Sequence, residues 1–174
     1  MIILAIIAVL FIIIITVSII APIKQKNNFE KELRDFLIKE RSHTLIKEKN
    51  KPYDYTLIID ETTYLLKTVS IPSFALVQIN NKNTWEVKYG AGEAIGKAQP
   101  YSKYLSNIQD FMRHKAKENE IKVAILIPKA KEIVMYINEC EVEFVTPNTN
   151  VYGTRIINTG DYSLFKKNEE NVEK

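Results

Sequence analysis

The chain has 174 residues, of which 46% are apolar, 26% charged and 10% aromatic, with a formal charge of +3. That length excludes several large domains, and the composition excludes a collagen-like chain and wholesale disorder. A single cysteine, Cys140, excludes an intramolecular disulfide and a multi-cysteine zinc site, and suits a reducing compartment.

The averages hide a partition. Residues 1–21 (MIILAIIAVLFIIIITVSIIA) carry no charge, glycine or proline, and only Thr16 and Ser18 interrupt the apolar run. At about 1.5 Å per helical residue this run reaches roughly 31 Å, close to the roughly 30 Å hydrocarbon thickness of a bilayer. A cleavable signal peptide needs a basic start, a shorter apolar core and a small-residue cleavage pair. Here nothing basic precedes the run, and Ile19 and Ala21 make a poor cleavage pair, so residues 1–22 read as a retained transmembrane helix. Lys24, Lys26, Lys31 and Arg34 follow it, which by the positive-inside rule places the C-terminal domain in the cytosol of a single-pass cell-membrane protein.

Residues 23–51 read as an amphipathic linker helix. Phe29, Leu33, Phe36 and Leu37 recur at helical spacing over Asn27 to Lys49, with Leu45 and Ile46 further on. Glu30/Arg34 and Asp35/Lys39 pair four apart on its outer side, and Pro52 ends it.

Residues 52–165 read as one α+β, α/β-like domain, a mixed sheet flanked by helices. The runs YTLII (Tyr55–Ile59), YLLKTV (Tyr64–Val69), FALVQI (Phe74–Ile79) and WEVKY (Trp85–Tyr89) predict an antiparallel meander. GAGEAIGKAQP is a loop by composition, and Ser102 to Lys117 has helical period with Ser102 as its N-cap. KVAILI (Lys122–Ile127) predicts a strand buried on both faces, Lys131 to Asn138 a short helical turn, VEFV (Val142–Val145) a strand, and Asn150 to Ile157 an edge element. Residues 166–174 form a polar tail.

Motifs for covalent or cofactor chemistry are few. His43 and His114 have no partner at metal-ligand spacing, Cys140 sits among the carboxylates of NECEVE, and Gly90, Gly92 and Gly96 exceed the dinucleotide fingerprint by one residue. No metal ligand set or cofactor is assigned.

The most informative stretch is DYTLIIDETTYLLKTV, with Asp54 heading one strand, a turn, and a second strand ending near Lys67. Together with Trp85, QPYSKYL ahead of a predicted helix and the buried strand KVAILIP, this order resembles the nuclease-related domain (NERD) family of the PD-(D/E)xK superfamily, over roughly Tyr53 to Val145. The resemblance implies a restriction-endonuclease-like fold. In that family an Asp and a Glu hold Mg²⁺ and a Lys two residues after the Glu faces the scissile phosphate, since i and i+2 share one face of a strand. Where the pattern puts Glu-x-Lys, this chain has Lys67-Thr68-Val69, and Lys103 stands where the family has a glutamine. The implied fold therefore has a degenerate active site.

Two alternatives stay open. Glu86-Val87-Lys88 is a literal Glu-x-Lys preceded by Asp54 and Asp60, which would make an active, membrane-tethered, Mg²⁺-dependent nuclease using Asp54, Asp60, Lys67, Glu86 and Lys88. Otherwise the domain binds a protein partner at the bilayer without involving nucleic acid. Nucleic-acid contact would draw on Lys88, Lys97, Lys103, Arg113 and Lys115, although Glu93, Asp110, Glu118 and Glu120 are interspersed among them. The leading expectation is a membrane protein whose cytosolic, catalytically inactive nuclease-like domain is a binding or scaffolding module; its oligomeric state is left unspecified.

Overall fold

The computed structural model describes residues 24–25, 27–39, 43–92 and 98–166, together with Phe11 and Thr16. The predicted transmembrane segment thus lies outside the described residues but for those two positions, and Lys97 and the tail after residue 166 lie outside them as well. Among the described residues no helix is long and apolar enough to cross a membrane.

The first described helix, α1 (27–39), buries Phe29, Leu33 and Leu37 at successive turns, as the spacing predicts. The predicted continuation to Lys49 is not helical. His43–Lys47 is instead strand β1, paired antiparallel with β2 (Tyr55–Ile59) from His43↔Ile59 to Lys47↔Tyr55. Two apolar residues, Leu45 and Ile46, had extended the helical pattern by coincidence of spacing, and the edge of β2 recruits them into a ladder.

β2 turns into β3 (Thr62–Ser70), which lies parallel to β7 (Glu120–Ile127), and β7 lies parallel to β10 (Thr154–Asn158). These five strands form sheet A in the order β1-β2-β3-β7-β10. The predicted single meander is broken after β3. Ile71 N–H donates to the Ile127 carbonyl at 2.9 Å, Phe74 adopts a left-handed φ of 57°, and the chain enters a second sheet. Sheet B has the order β6-β5-β4-β8-β9, built from β4 (Leu76–Asn81), β5 (Thr84–Tyr89), β6 (Tyr101–Tyr104), β8 (Glu132–Tyr136) and β9 (Val142–Phe144). β4 and β8 are parallel, so both sheets are mixed and the architecture is α+β.

Two further expectations change. The predicted helix from Ser102 becomes β6, one 3-10 turn (Ser106–Ile108) and a five-residue helix α2 (Gln109–Arg113), so Ser102 caps nothing. The predicted helical turn at Lys131 to Asn138 is strand β8, whose β-branched Ile133 and Val134 suit a ladder beside β4.

Three layers result, and alternation along the strands decides which residues meet. Leu66, Val123, Ile125 and Ile157 of sheet A pack with Phe29, Leu33 and Leu37 of α1 and with Phe165. From its opposite face Leu65, Val69, Ala124, Leu126 and Ile156 pack with Val77, Ile79, Trp85 and Val87 of sheet B and with Phe111 and Met112 of α2. β7 is buried on both faces, as its uniform run predicts. Each of its larger apolar side chains contributes on the order of 1.5–3 kcal/mol by leaving water.

Candidate functional site at the Asp54 end of sheet A

Asp54 sits where the connection from β1 meets the first residue of β2. Its backbone is locked there: Glu48 N–H donates to the Asp54 carbonyl at 2.9 Å, and Asp54 N–H donates to the Leu66 carbonyl at 2.8 Å. The register pairs Tyr55 with Leu66, so the next position brings Asp54 opposite Lys67. Lys67 Nζ lies 3.7 Å from Asp54 Oδ1, while Oδ2 accepts the Thr68 N–H at 2.8 Å and the Thr68 hydroxyl at 2.6 Å. Both side chains of the ion pair are mostly shielded from solvent. The carboxylate is therefore occupied by a cation and by two short hydrogen bonds.

A second carboxylate next door repeats the pattern. Glu48 Oε1 accepts the Thr56 hydroxyl at 2.6 Å, and Lys51 Nζ lies 2.9 Å from Oε2. The Thr56 bond, then Lys51, holds the Glu48 carboxyl below its ordinary range, and the Glu48 hydrogen bond, then Tyr53, raises the Lys51 ammonium. Lys51 stands 5.3 Å from the Tyr53 ring, which lies 5.6 Å from the His114 ring. Two carboxylates, each with its own lysine and threonine, thus tie the β1–β2 connection to the sheet. Sequence reasoning singled out Asp54 and Lys67, and missed Glu48, which directly follows β1, a strand the sequence reads as helix.

The other candidates do not join this cluster. Asp60 lies in the β2–β3 turn with φ 53°, at the far end of a five-residue strand, hence about 20 Å from Asp54 at strand rise. Glu86 and Lys88 belong to sheet B, where Trp85 and Val87 face sheet A; alternation turns Glu86 and Lys88 to the opposite face. Val69, at the position of the family's catalytic lysine, is fully buried between the sheets. Among the described residues no three of His, Cys, Asp and Glu converge.

The cations read as a nucleic-acid surface are also dispersed. Lys88 and Lys103 are on adjacent strands, but Lys103 is registered with Val87 and so takes the opposite face. Arg113 is 3.6 Å from Asp110, and Lys115 is exposed in the turn after α2. His43 is half-buried at the head of β1, and Cys140 is exposed in a turn where its N–H donates to Asn138 Oδ1.

The sequence reading missed the buried Lys122, and it missed that the Glu30/Arg34 pair turns toward the sheet. Lys122 is 4% exposed, with Nζ donating to the Met112 and His114 carbonyls at 3.0 Å each and standing 5.0 Å from the Phe111 ring. It caps the carbonyl end of α2 from the neighbouring sheet. Burial, and secondarily the charge of Lys82, pushes its ammonium down to about 8. The signal was present, since a lysine heading an otherwise apolar, doubly buried strand needs a partner. On the other face of sheet A, Glu30 accepts from the buried Tyr55 hydroxyl at 3.0 Å and from Arg34 at 3.1 Å, with Lys47 at 3.4 Å. Burial opposes ionisation of Glu30, but the bonds from Tyr55 and Arg34 and the charge of Lys47 outweigh it and lower its pKa; burial, then Glu30, raises that of Tyr55.

Compared with known proteins, the chain matches no family model, no curated protein and no solved structure.

Proposed function

We propose that this chain is a single-pass membrane protein whose domain after residue 22 has a catalytically silent, nuclease-like site and works as a binding module on the cytosolic side. One observation carries the reading: Lys67 and Thr68 occupy the Asp54 carboxylate, and Val69, two residues after Lys67, is sealed in the core. A metal-dependent nuclease needs a carboxylate free to coordinate and a cation free to reach phosphate. At this site the carboxylate and the cation engage each other.

The anchor is supported by the uncharged run of residues 1–21 and by the basic residues that follow it. Incubating the purified full chain with plasmid and with single-stranded DNA or RNA, in Mg²⁺ or Mn²⁺, tests the silent site; no cleavage above a metal-free control is expected. Turnover that disappears in Asp54→Ala overturns the reading. Resistance of the chain to alkaline extraction from membranes tests the anchor separately.

A further inference from the structure

Strand β6 is an edge of sheet B, and all four of its residues are exposed. Leu105 N–H donates to the Trp85 carbonyl at 2.9 Å, and the register continues as Tyr104↔Glu86, Lys103↔Val87, Ser102↔Lys88 and Tyr101↔Tyr89. Backbone groups of an antiparallel strand alternate in direction, so Lys103 and Tyr101 aim theirs at β5 while Ser102 and Tyr104 aim theirs away from the sheet. Those outward N–H and C=O groups have no strand beside them among the described residues. The edge is also held in shape: Tyr101 packs 5.6 Å from Tyr89 and against Gly90, where a Cβ would meet its ring at 2.6 Å.

At the end of β6 an open cleft of about 300 Å³ is lined by Asn83, Thr84, Trp85, Tyr104, Leu105 and Gln109, all uncharged. Within this lining Gln109 Nε2 donates to the Asn83 carbonyl at 3.2 Å, and Tyr104 is 67% exposed.

We propose that β6 is a docking edge for an extended segment of a partner polypeptide, which adds to sheet B beside Ser102 and Tyr104 and carries alternating apolar and acidic side chains. The outward backbone groups recognise an extended main chain. Side chains of the added strand beside Ser102 and Tyr104 lie over the exposed Tyr104 ring, which favours β-branched or aromatic residues and leads into the cleft. On the other face the neighbour is Lys103, which favours a carboxylate. A second copy of this chain offers no carboxylate within β6 to face Lys103, and in the antiparallel register centred on Lys103 it sets that lysine opposite its counterpart, where like charges are destabilising.

The inference rests on reading the domain as a binding module. The experiment uses the full chain in nanodiscs and a capped octapeptide of alternating valine and glutamate, with binding followed by fluorescence and residue-resolved hydrogen exchange. Expected is slowing of the Ser102 and Tyr104 amides by tenfold or more. Binding should weaken at least tenfold when lysine replaces the glutamates and disappear when the peptide backbone is N-methylated. Ser102→Pro removes an outward N–H but no bond to β5, so it should abolish binding with the thermal midpoint unchanged. Should that variant melt early, Lys103→Glu decides, with an expected switch of preference to the lysine peptide. Unprotected Ser102 and Tyr104 amides, equal affinity for both peptides, or no switch in Lys103→Glu overturns the proposal. Any of those failures leaves the Asp54 cleavage test as it stands, and Asp54-dependent cleavage removes the silent-module reading without altering the amide result.

Discussion

Sheets A and B each have five strands, yet they experience water very differently. Sheet A is enclosed, with α1 and Phe165 on one face and sheet B on the other. Its strand β7, between β3 and β10, has six consecutive buried residues, Lys122 to Ile127. Sheet B is covered on the face toward sheet A, and its two outermost strands, β6 and β9, are exposed throughout. Polar groups follow the same division. Several in sheet A are engaged within the fold, as at Asp54–Lys67–Thr68, Glu48–Thr56–Lys51 and Lys122 with the carbonyls of α2. Those along β6 face solvent. Sheet A is therefore the more enclosed half, and sheet B carries the more exposed edge strands.

That division can be broken most directly by truncating one apolar residue on each side. Leu57, fully buried on β2, should lose about 2–5 kcal/mol of stability as Leu57→Ala, because the cavity cannot collapse between α1 and the sheet. Phe144, 61% exposed on β9, should change by less than about 0.5 kcal/mol as Phe144→Ala. Urea unfolding of both variants checks the contrast, and equal losses would mean that sheet B is covered after all.

A smaller effect sharpens the reading of the Asp54 cluster as structural. Asp54→Ala leaves the Thr68 N–H, the Thr68 hydroxyl and the Lys67 ammonium without their acceptor, at a cost of about 1–3 kcal/mol. Thermal unfolding should show the loss, and Asp54→Asn, which keeps one oxygen, should recover part of it.

Smaller still per pH unit is the titration of Lys122. Its folded pKa, about 8, lies below the ordinary lysine value of about 10.4. Between these values the unfolded chain keeps a proton that the folded chain has released, so stability should rise as pH increases from about 8 to about 10.4, by at most about 1.4 kcal/mol per pH unit. Comparing denaturation midpoints at pH 7.5, 9 and 10 measures the slope. Lys122→Met should flatten that slope while leaving the Met112 and His114 carbonyls without their donor.

Much of this division is legible in the sequence. The α1 stripe of Phe29, Leu33 and Leu37, the strands β2, β3, β4, β5 and β7, and the double burial of β7 all follow from local spacing. The candidates Asp54 and Lys67, drawn from the family resemblance, are neighbours in the fold. Three short segments misled. β1, β6 and β8 read as helical because four or five residues are too few to separate a period of 2 from a period of 3.6, and because each is a strand only through the neighbour it pairs with, which for β8 is β4, far back along the chain. Glu86-Val87-Lys88 has the spacing of a catalytic pair, but spacing cannot tell that β5 belongs to a different sheet from Asp54.

The sequence by itself determined the partition between an uncharged first segment and a charged remainder, the amphipathic face of α1, and the identity of the most buried strands. These depend on residue type and on periods of a few residues. Only the tertiary structure decided that the strands divide into two mixed sheets, that Lys67 lies against Asp54, that Lys122 reaches back to α2, and that β6 is left as an edge. Each of these is a contact between residues distant in sequence or a consequence of one. Such contacts are set by which surfaces remain uncovered once the local elements have formed.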